Sequence, residues 1–390
     1  MDKIEELLSR GVDQVIPSKQ ELEKVLRTGK KLRVYQGFDP SSPLLHIGHM
    51  IGLRKLAQWQ DLGHEVIFLI GDFTGRIGDP TGKEEARPVL SKETVEENAK
   101  TYKEQASRIL NFSGKNPVQI KFNSEWLDKL KTPEILNLFS QVTYSQIIKR
   151  GMFKKRLEKD EDITFNEISY PIMQGYDSVA MDVDVEVGGR DQLFNMMIGR
   201  DLMHKMKRKN KFVMTTQLLV DSQGNKIGKT EGNTIALTDP PEKMFGAIMN
   251  FPDDVITQGL ESLTDVPQEE IESAKNAIKR GRNPLQFKKT LAFELVKQLD
   301  GQKTAQKAQE EFESVHQKRE KPEDLNIHVK ENISVLEAIV TLVSSKSQAK
   351  RLLDQGAIEV DGNVQKDAKV KLKSGQVLKV GKKTFAKVGE

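Results

Sequence analysis

Residues 32–70 read LRVYQGFDPSSPLLHIGHMIGLRKLAQWQDLGHEVIFLI, with two strand-like segments on either side of a helix-like segment. The central segment, about 47–62, carries leucines and a tryptophan at helical spacing, and Gly63 is a suitable end. The second strand, 66–70, is apolar throughout, which is typical of a strand buried in a parallel sheet. A strand, a helix and a strand in this order predict a βαβ unit.

The same alternation continues to about residue 238. Helices are predicted near 92–110, from 132, near 167–180 and from 192, and strands near 118–122, 183–187 and 212–220. This pattern predicts an α/β fold with a doubly wound parallel sheet. Ligands of such sheets bind at the carboxyl ends of the strands.

Strand patterns stop near residue 239, and amphipathic helices follow. We therefore predict an α/β domain over 1–238 that is large enough to hold an active site. A helical domain over 239–318 and a charged linker over 319–330 follow it. Residues 331–390 predict a small α+β module with turns at Asp361-Gly362 and Ser374-Gly375.

Composition excludes several classes of protein. The chain has 390 residues, of which 30% are charged, and no run reaches the ~20 apolar residues of a membrane-spanning helix. The absence of cysteine excludes disulfides, thiolate metal sites and cysteine nucleophiles. The acidic amino terminus resembles neither a signal peptide nor a transit peptide, so we expect a cytoplasmic protein without a membrane partner.

The net charge of +4 is confined to one end of the chain. Residues 331–390 contain 11 Lys and Arg against 7 Asp and Glu, whereas residues 1–330 contain 50 of each. A basic terminal module on a neutral body suggests a polyanionic partner, and a solvated surface is the simpler alternative.

Two histidines, His46 and His49, follow the first strand and a proline-rich turn. Three residues apart on a helix, they share one face, and Gly48 between them lets a ligand approach the backbone. The start of the helix also offers free N–H groups that suit a triphosphate. The alternatives are a surface histidine pair and a zinc site, and a chain with six histidines and no cysteine argues against zinc.

Residues 224–233 read GNKIGKTEGN and place Lys226 and Lys229 three apart in a glycine-rich loop. Mobile cations beside flexible backbone suit the stabilisation of charge on a departing pyrophosphate. Taken alone, a solvated basic loop is an equally good interpretation.

Tyr170, Gln174 and Asp177 recur at the spacing of one helical face, so their polar groups can converge on one pocket. The ammonium of a free amino acid needs a carboxylate or amide oxygens, and a phenol hydroxyl needs a hydrogen-bond donor and an acceptor. An exposed polar face of the helix is the alternative interpretation.

A fourth motif, Gly188-Gly189-Arg190-Asp191-Gln192, follows the strand predicted at 183–187. Its glycines permit close approach to the backbone, and Asp191 can accept hydrogen bonds from ribose hydroxyls. A strand-to-helix turn capped by Asp191 is the structural alternative.

In this order, the motifs His46-Ile47-Gly48-His49 and Lys226-Ile227-Gly228-Lys229-Thr230 resemble the two signatures of class I aminoacyl-tRNA synthetases. The segment from Tyr170 to Asp177 is similar to the tyrosine-binding helix of bacterial-type tyrosyl-tRNA synthetases. The resemblance extends over essentially the whole chain. It implies a Rossmann-type catalytic domain, a helical anticodon-binding domain and a carboxyl-terminal RNA-binding module.

The resemblance also implies a reaction and its partners. L-tyrosine is activated by ATP to tyrosyl-adenylate with release of pyrophosphate, and the tyrosyl group then passes to the 3′ end of tRNA(Tyr). Mg²⁺ is expected to enter with ATP, and no tightly bound cofactor or protein-held metal is expected. A homodimer with its interface in the segment of about 110–165 is implied as well.

Individual residues acquire roles only through this resemblance. Residues expected to take part in catalysis are His46, His49, Lys226, Lys229 and Thr230. Residues expected to bind tyrosine are Tyr35, Asp79, Tyr170, Gln174, Asp177 and Gln192, with Asp177 and Tyr35 at the phenol hydroxyl. Residues expected to bind ATP are Gly37, Asp39, Ser41, His46, Gly48, His49, Gly189, Asp191, Lys226 and Lys229, and Lys83 and Arg87 match a pyrophosphate-contacting loop.

Basic residues supply the expected RNA contacts. Residues 347–363 resemble an RNA-binding fold named after a small-subunit ribosomal protein, and a protein-binding module is the alternative. The expected phosphate contacts are Lys346, Lys350, Arg351, Lys366 and Lys371. Two more clusters are ordinarily solvated faces and would be candidates for the acceptor arm: Lys149, Arg150, Lys154, Lys155 and Arg156, and Lys205, Lys207, Arg208, Lys209 and Lys211.

Two rival functions remain at this point. A tryptophan-specific synthetase has a similar helix, but the tryptophan enzymes usually carry methionine at the position of Gln174 and lack the basic terminal module. A non-catalytic RNA-binding paralogue would keep the fold, although the intact histidine and lysine motifs argue against it.

Overall fold

The computed structural model describes residues 2–81, 89–224, 226–227, 234–316, 327–343, 345–381 and 384–389. The chain divides into two compact units, Met1–Ala305 and Gln306–Glu390. Within the described ranges, no helix combines the length and the apolar character needed to cross a membrane.

A six-stranded sheet organises the first unit. Its strands are β1 (Val12–Ile16), β2 (Arg33–Phe38), β3 (Glu65–Ile70), β4 (Gln119–Phe122), β5 (Val185–Gly189) and β6 (Phe212–Thr216), in the order β1-β6-β5-β2-β3-β4. All neighbours are parallel except β1 and β6. The strand order runs outward from β2 on one side and from β5 on the other, which confirms the predicted doubly wound fold.

Helices surround this sheet and continue beyond it. They are α1 (Lys3–Ser9), α2 (Lys19–Arg27), α3 (Ile47–Asp61), α4 (Thr74–Ile77), α5 (Lys92–Ala99), α6 (Tyr102–Ala106), α7 (Ser124–Leu127), α8 (Thr132–Ser140), α9 (Tyr144–Ile148), α10 (Gly151–Glu158), α11 (Phe165–Met181), α12 (Leu193–Lys207), α13 (Pro241–Met249), α14 (Ile256–Leu263), α15 (Gln268–Lys279), α16 (Leu285–Asp300) and α17 (Gln302–His316). Short 3₁₀ turns span Arg190–Gln192 and Asp253–Val255. The helix α17 begins in the first unit and ends in the second.

The βαβ unit predicted from residues 32–70 forms as expected. Five of the six residues of β3 are buried, in agreement with a central parallel strand. The helix α3 ends just before Gly63, whose φ of +83° is a left-handed conformation that glycine adopts without strain.

Two predicted elements differ from the structure, and one strand of the sheet was not predicted. The helix expected over 92–110 is two short helices, α5 and α6, and Tyr102 and Gln105 of α6 donate to backbone carbonyls of the proline-rich turn, which tertiary contact no local pattern records. The strand expected over 212–220 ends at Thr216. The edge strand β1 was not predicted, because none of its five residues is fully buried and so short a segment carries little alternating pattern.

The second unit is a small α+β module. Its strands are β7 (His328–Val329), β8 (Ile358–Val360), β9 (Asn363–Val364), β10 (Val377–Val380) and β11 (Thr384–Val388), in the order β7-β11-β10-β8-β9, with helices α18 (Val335–Val343) and α19 (Lys346–Asp354). Val335, Ile339, Leu353 and Leu378 lie in its core. Asp361 and Gly362 both have positive φ, so the predicted turn is a tight hairpin between β8 and β9.

Candidate active site

A cavity of about 220 Å³ opens at the carboxyl ends of β2 and β5, where the strand order changes direction. Parallel sheets bind ligands at this position because two neighbouring loops diverge there. The predicted site residues that line it are Tyr35, Gly37, Asp39, Ser41, His46, Gly48, His49, Asp79, Tyr170, Gln174, Asp177, Gly189, Asp191, Gln192 and Lys226. The histidine motif and Lys226 of the lysine motif, which lie 180 residues apart (226 − 46), therefore meet in one cavity.

The two histidines stand at the start of α3. The His46 Nδ1 accepts the N–H of Gly48 (3.1 Å), and the His49 Nδ1 accepts the N–H of His46 (3.1 Å). Because both Nδ1 atoms accept, a neutral ring at either position carries its proton on Nε2. The rings stack with centroids 3.8 Å apart. The pair thus offers N–H donors of the kind that bind phosphate oxygens.

Gly48 is required by this histidine arrangement. A Cβ at Gly48 would lie 2.9 Å from Cε1 of His46, closer than carbon atoms normally approach. The glycine therefore lets the imidazole of His46 fold over the first turn of α3 and cap it.

Asp177 lies at the buried end of the cavity, with 2% of its surface exposed. One carboxylate oxygen accepts from Trp126 Nε1 (2.8 Å) and the other from Asn123 Nδ2 (3.2 Å). Burial raises the pKa of Asp177 well above its usual range, and the two donors act in the opposite direction. A ligand hydroxyl that donates to Asp177 would favour its carboxylate form further.

Tyr35 faces the same end of the cavity from β2. Its hydroxyl lies 2.8 Å from the Ser178 Oγ. Burial and the nearby carboxylates of Glu186 and Asp177 raise the pKa of Tyr35, so its hydroxyl keeps its proton at neutral pH. The predicted phenol-binding pair of Tyr35 and Asp177 is thus buried in one cavity.

Carboxylates and amides surround the middle of the cavity. The Tyr170 hydroxyl donates to Asp39 Oδ2 (2.7 Å), and Gln192 Nε2 donates to Asp79 Oδ2 (2.6 Å). The Gln174 Oε1 accepts from Asn195 Nδ2 (2.9 Å). Two carboxylates in this position suit a bound ammonium group.

Lys226 and Asp191, which also line the cavity, form an ion pair with Nζ 2.6 Å from Oδ2. Asp191 does not cap the following helix with its side chain, so the capping alternative is wrong. Lys229 and Thr230, as well as Lys83 and Arg87, lie outside the described residues. Among the residues that the structure does describe, no three histidine or carboxylate side chains are placed to hold a metal ion.

Sequence patterns did not predict two residues that line the cavity, Asn123 and Glu186, or two that lie behind its lining, Trp126 and Ser178. Asn123 and Trp126 bind Asp177, and Glu186 and Ser178 lie behind Tyr35 and Gln174. Asn123 directly follows β4, so its position at a strand's carboxyl end was an available signal. Ser178 had no such signal, because a serine beside a valine and an aspartate fits any helix.

The prediction that two basic clusters are solvated is wrong for four of their members, among them Lys209, which is partly buried and pairs with Asp182 and Asp184. Arg156 is buried and pairs with Glu167, and Lys211 is fully buried and pairs with Glu186. Arg150 is half-buried, and its Nη2 donates to Thr81 Oγ1 (2.7 Å). Exposed members are Lys149, Lys154, Lys155, Lys205, Lys207 and Arg208.

The predicted RNA contacts of the second unit are all at its surface. The exposed residues are Lys346, Lys350 and Arg351 on α19 and Lys366 and Lys371 on the loops that follow. Their positions leave their cationic ends accessible to a polyanion.

A family model described as tRNA synthetases class I (W and Y) matches residues 27–317, which is well over half of the chain. The chain belongs to the class I tRNA synthetases. A second model, for the S4 domain, matches residues 335–378 and so covers most of the basic module.

Curated relatives narrow the family to one synthetase. The tyrosine–tRNA ligase of Thermotoga maritima is 42% identical over 98% of this chain and 96% of its own length. The tyrosine–tRNA ligase of Aquifex aeolicus is 40% identical over 98% of this chain and 97% of its own. The chain is therefore a class I synthetase of the tyrosine–tRNA ligase group, as the resemblance implied.

Solved structures share the fold of this synthetase. A C-terminally truncated mitochondrial tyrosyl-tRNA synthetase from Aspergillus nidulans has a TM-score of 0.67 at 23% identity, covering 80% of this chain and 94% of its own. A tyrosyl-tRNA synthetase from Archaeoglobus fulgidus, complexed with L-tyrosine, has a TM-score of 0.61 at 22% identity and covers 79% of this chain and 100% of its own. At these identities the likeness concerns the fold alone.

Proposed function

We propose that this synthetase activates L-tyrosine with ATP and transfers the tyrosyl group to tRNA(Tyr) in the cavity between β2 and β5. One observation carries the proposal: buried phenol-binding groups and phosphate-binding groups line the same cavity. Tyr35 and Asp177 lie at one end, and His46, His49 and Lys226 lie among the other lining residues. Tyrosine and a nucleoside triphosphate would therefore meet with their reacting groups adjacent.

Tyrosine specificity would come from the buried end of the cavity. The phenol hydroxyl can donate to Asp177 and accept from Tyr35, so both of its hydrogen-bonding functions are used. The ammonium group would lie near the Asp79 carboxylate, with Tyr170 and Gln174 as further contacts. A tryptophan side chain has only an N–H donor and would leave Tyr35 without an acceptor.

In the first step, a tyrosine carboxylate oxygen attacks the α-phosphorus of ATP. The bond from the α-phosphorus to the oxygen bridging to the β-phosphate breaks, and pyrophosphate leaves. The Nε2–H groups of His46 and His49 and the ammonium of Lys226 would bind phosphate oxygens as negative charge shifts to them. Mg²⁺ would enter on the ATP phosphates. No side chain needs to act as a nucleophile.

In the second step, a terminal ribose hydroxyl of tRNA attacks the carbonyl carbon of tyrosyl-adenylate, and AMP leaves. The exposed lysines and arginine of the S4 module would hold phosphates of the tRNA. The helical part of the chain after residue 239 is the expected site of anticodon contact.

A homodimer through residues 110–165 is part of the proposal. The helices α8, α9 and α10 in this segment expose large apolar side chains: Leu136, Tyr144 and Leu157 are 63%, 61% and 52% exposed. Large apolar groups on one exposed segment favour burial against a partner. A second copy of the chain would cover them.

Sedimentation measurements test the dimer. The wild-type chain is expected to sediment as a dimer at micromolar concentration, and a Leu136→Glu/Tyr144→Glu variant as a monomer. Leu285→Glu, at a 40% exposed leucine on α16, is the control and keeps the dimer. A monomeric wild-type chain contradicts the proposal.

Charging of tRNA tests the reaction itself. Labelled tyrosine, ATP with Mg²⁺ and unfractionated bacterial tRNA are incubated with the protein, and acid-precipitable label is counted. We expect an alkali-labile tyrosyl ester that requires both ATP and tRNA. Labelling with tryptophan in place of tyrosine would contradict the proposed substrate.

A further inference from the structure

Lys211 is a buried cation directly behind the tyrosine end of the cavity. It precedes β6, and none of its surface is exposed. Taking an ammonium group out of water is unfavourable by several kcal/mol unless it is paired and hydrogen-bonded. Its partners are the carboxylate of Glu186 and the Ser178 Oγ at 2.8 Å. Neither group belongs to the site residues predicted above.

Glycines on α11 and α12 leave room for the Lys211 ammonium group. A Cβ at Gly199 of α12 would lie 2.7 Å from Lys211 Nζ and 3.0 Å from Ser178 Oγ. A Cβ at Gly175 of α11 would lie 3.0 Å from the backbone nitrogen of Gly199. Two glycines thus bring α11 and α12 together and open the space that the ammonium occupies.

From Lys211 a short series of polar contacts reaches the cavity. Ser178 Oγ lies 2.8 Å from the Tyr35 hydroxyl, and Tyr35 lines the cavity. The Glu186 Oε2 lies 3.3 Å from Ser178 Oγ, and its Oε1 faces Gln174 Nε2 at 3.5 Å. The buried pair therefore contacts Gln174, assigned to the ammonium end of a bound tyrosine, directly. It reaches Tyr35, assigned to the phenol end, through Ser178.

The ammonium fixes one of these hydrogen bonds and anchors the serine. An ammonium group can only donate, so the Ser178 oxygen accepts from Lys211. The Ser178 hydroxyl also donates to Glu186 Oε2 at 3.3 Å, and its oxygen keeps a second lone pair for the Tyr35 hydroxyl at 2.8 Å. Three partners thus hold Ser178 in place, and Ser178 holds the Tyr35 hydroxyl at the cavity.

We propose that Lys211, Glu186 and Ser178 form a positioning chain that holds the Tyr35 hydroxyl in hydrogen-bond reach of the phenol oxygen of the substrate. The inference rests on the proposed function, since it takes the ligand to be tyrosine. With Lys211 and Glu186 neutralised, Ser178 loses its charged partners, and the Tyr35 hydroxyl is no longer held at this position. The substrate hydroxyl then keeps Asp177 and loses its contact with Tyr35.

A variant that removes both charges of the pair tests this chain. Lys211→Met combined with Glu186→Gln leaves no buried charge unpaired, and such replacements are commonly neutral for folding. We expect the Kd for tyrosine to rise about tenfold, the effect of one buried hydrogen bond. The Kd for phenylalanine, which has no hydroxyl, stays the same.

The same change in a Tyr35→Phe background separates positioning from general damage. If the pair acts through the Tyr35 hydroxyl, it has no further effect on tyrosine affinity once that hydroxyl is gone. An equal loss of affinity in both backgrounds would overturn the proposal. Lys209→Met, at a partly exposed lysine on the same loop, is the matched control and leaves the Kd unchanged.

Ser178→Ala provides a second route if the double variant unfolds. It keeps the Lys211–Glu186 pair, and we expect a Kd for tyrosine raised about threefold or more, again only when Tyr35 is present. An unchanged Kd for tyrosine with Ser178→Ala contradicts the positioning role of Lys211, Glu186 and Ser178 but leaves the proposed function intact. A wild-type protein that does not bind tyrosine overturns both the chain and the proposed function.

Discussion

Asp177 shows how a single side chain can carry substrate choice. Both of its oxygens accept from fixed donors, Asn123 and Trp126, so its carboxylate cannot rotate to suit another ligand. Trp126 carried no signal in the sequence and Asn123 only its position after β4, whereas helical spacing placed Asp177 on one face with Tyr170 and the family resemblance gave it a role.

Replacement of the Asp177 carboxylate should reduce the preference for tyrosine over phenylalanine. We expect Asp177→Asn to weaken tyrosine binding about tenfold or more and to change phenylalanine binding little, because only the hydroxyl loses its charged acceptor. Isothermal titration with both amino acids measures this. Asp182→Asn is the control, at an exposed residue after the same helix whose φ of +50° asparagine tolerates. An unchanged preference for tyrosine would refute the role of Asp177.

Lys55 is a second buried cation, far from the reaction. It is 4% exposed, and its Nζ donates to the carbonyls of Leu7 (3.0 Å) and Arg10 (2.8 Å). Burial, with the nearby Arg54, lowers the pKa of Lys55 from 10.5 to about 7.

This shift predicts a dependence of stability on pH. Between about pH 7 and pH 10.5 the unfolded chain holds the Lys55 proton and the folded chain does not. The free energy of unfolding therefore rises with pH in this window, by at most about 1.4 kcal/mol per pH unit from this group. Urea unfolding at several pH values should show the rise in the wild type and a smaller rise in Lys55→Met. Exposed Lys30→Met serves as control, and equal slopes in all three proteins would contradict the prediction.

At the scale of elements, α14 hydrogen-bonds to the backbone that directly precedes the glycine-rich loop of Lys226. Gln258 of α14 donates to the Leu218 carbonyl (2.7 Å) and accepts the N–H of Val220 (3.3 Å). Val220 pairs in turn with Lys226 in a short antiparallel bridge. An element of the helical region thus fixes the backbone that carries a cation to the cavity.

Loss of the two Gln258 hydrogen bonds should slow the formation of tyrosyl-adenylate without changing the affinity for tyrosine. We expect Gln258→Ala to lower the rate of adenylate formation about tenfold, since small misplacements of charged groups are costly in the transition state. Single-turnover kinetics at saturating tyrosine measures the rate, and equilibrium binding measures the affinity. Gln298→Ala removes a similar glutamine-to-carbonyl bond, to Leu263, away from the loop and should leave the rate unchanged. Equal rates for the wild type and Gln258→Ala would contradict the role of α14.

Elements with strong patterns were predictable from the sequence. The apolar β3 and the leucine-spaced α3 formed as expected, and the histidine, tyrosine and lysine motifs meet because parallel strands place their carboxyl ends at one edge. The residues that lie behind the cavity lining were not predictable. Whether Lys211 is solvated or buried depends on Gly199 and Glu186, which lie elsewhere in the chain, and no local pattern records that contact.

For the whole molecule, we expect the basic module and the unit that holds the cavity to have separable tasks. The S4 match begins at residue 335, and the first compact unit holds the entire cavity. A chain ending at His316 is expected to activate tyrosine normally and to charge tRNA about tenfold or more slowly at low tRNA concentration, because phosphate contacts are lost. Aminoacylation assays at varied tRNA and salt measure this.

A full-length control excludes damage from the truncation. Lys350→Glu/Arg351→Glu reverses two exposed charges on α19 and should reproduce the charging defect in part. If the truncated chain charges tRNA as well as the full chain, the S4 module does not serve tRNA binding.

The central claim is that one cavity joins tyrosine recognition to ATP chemistry. Amino-acid-dependent exchange of labelled pyrophosphate into ATP, without tRNA, tests it most directly. We predict exchange with tyrosine and none with tryptophan or phenylalanine. Exchange driven by tryptophan, or no exchange with any of the three from a folded protein, would contradict the account.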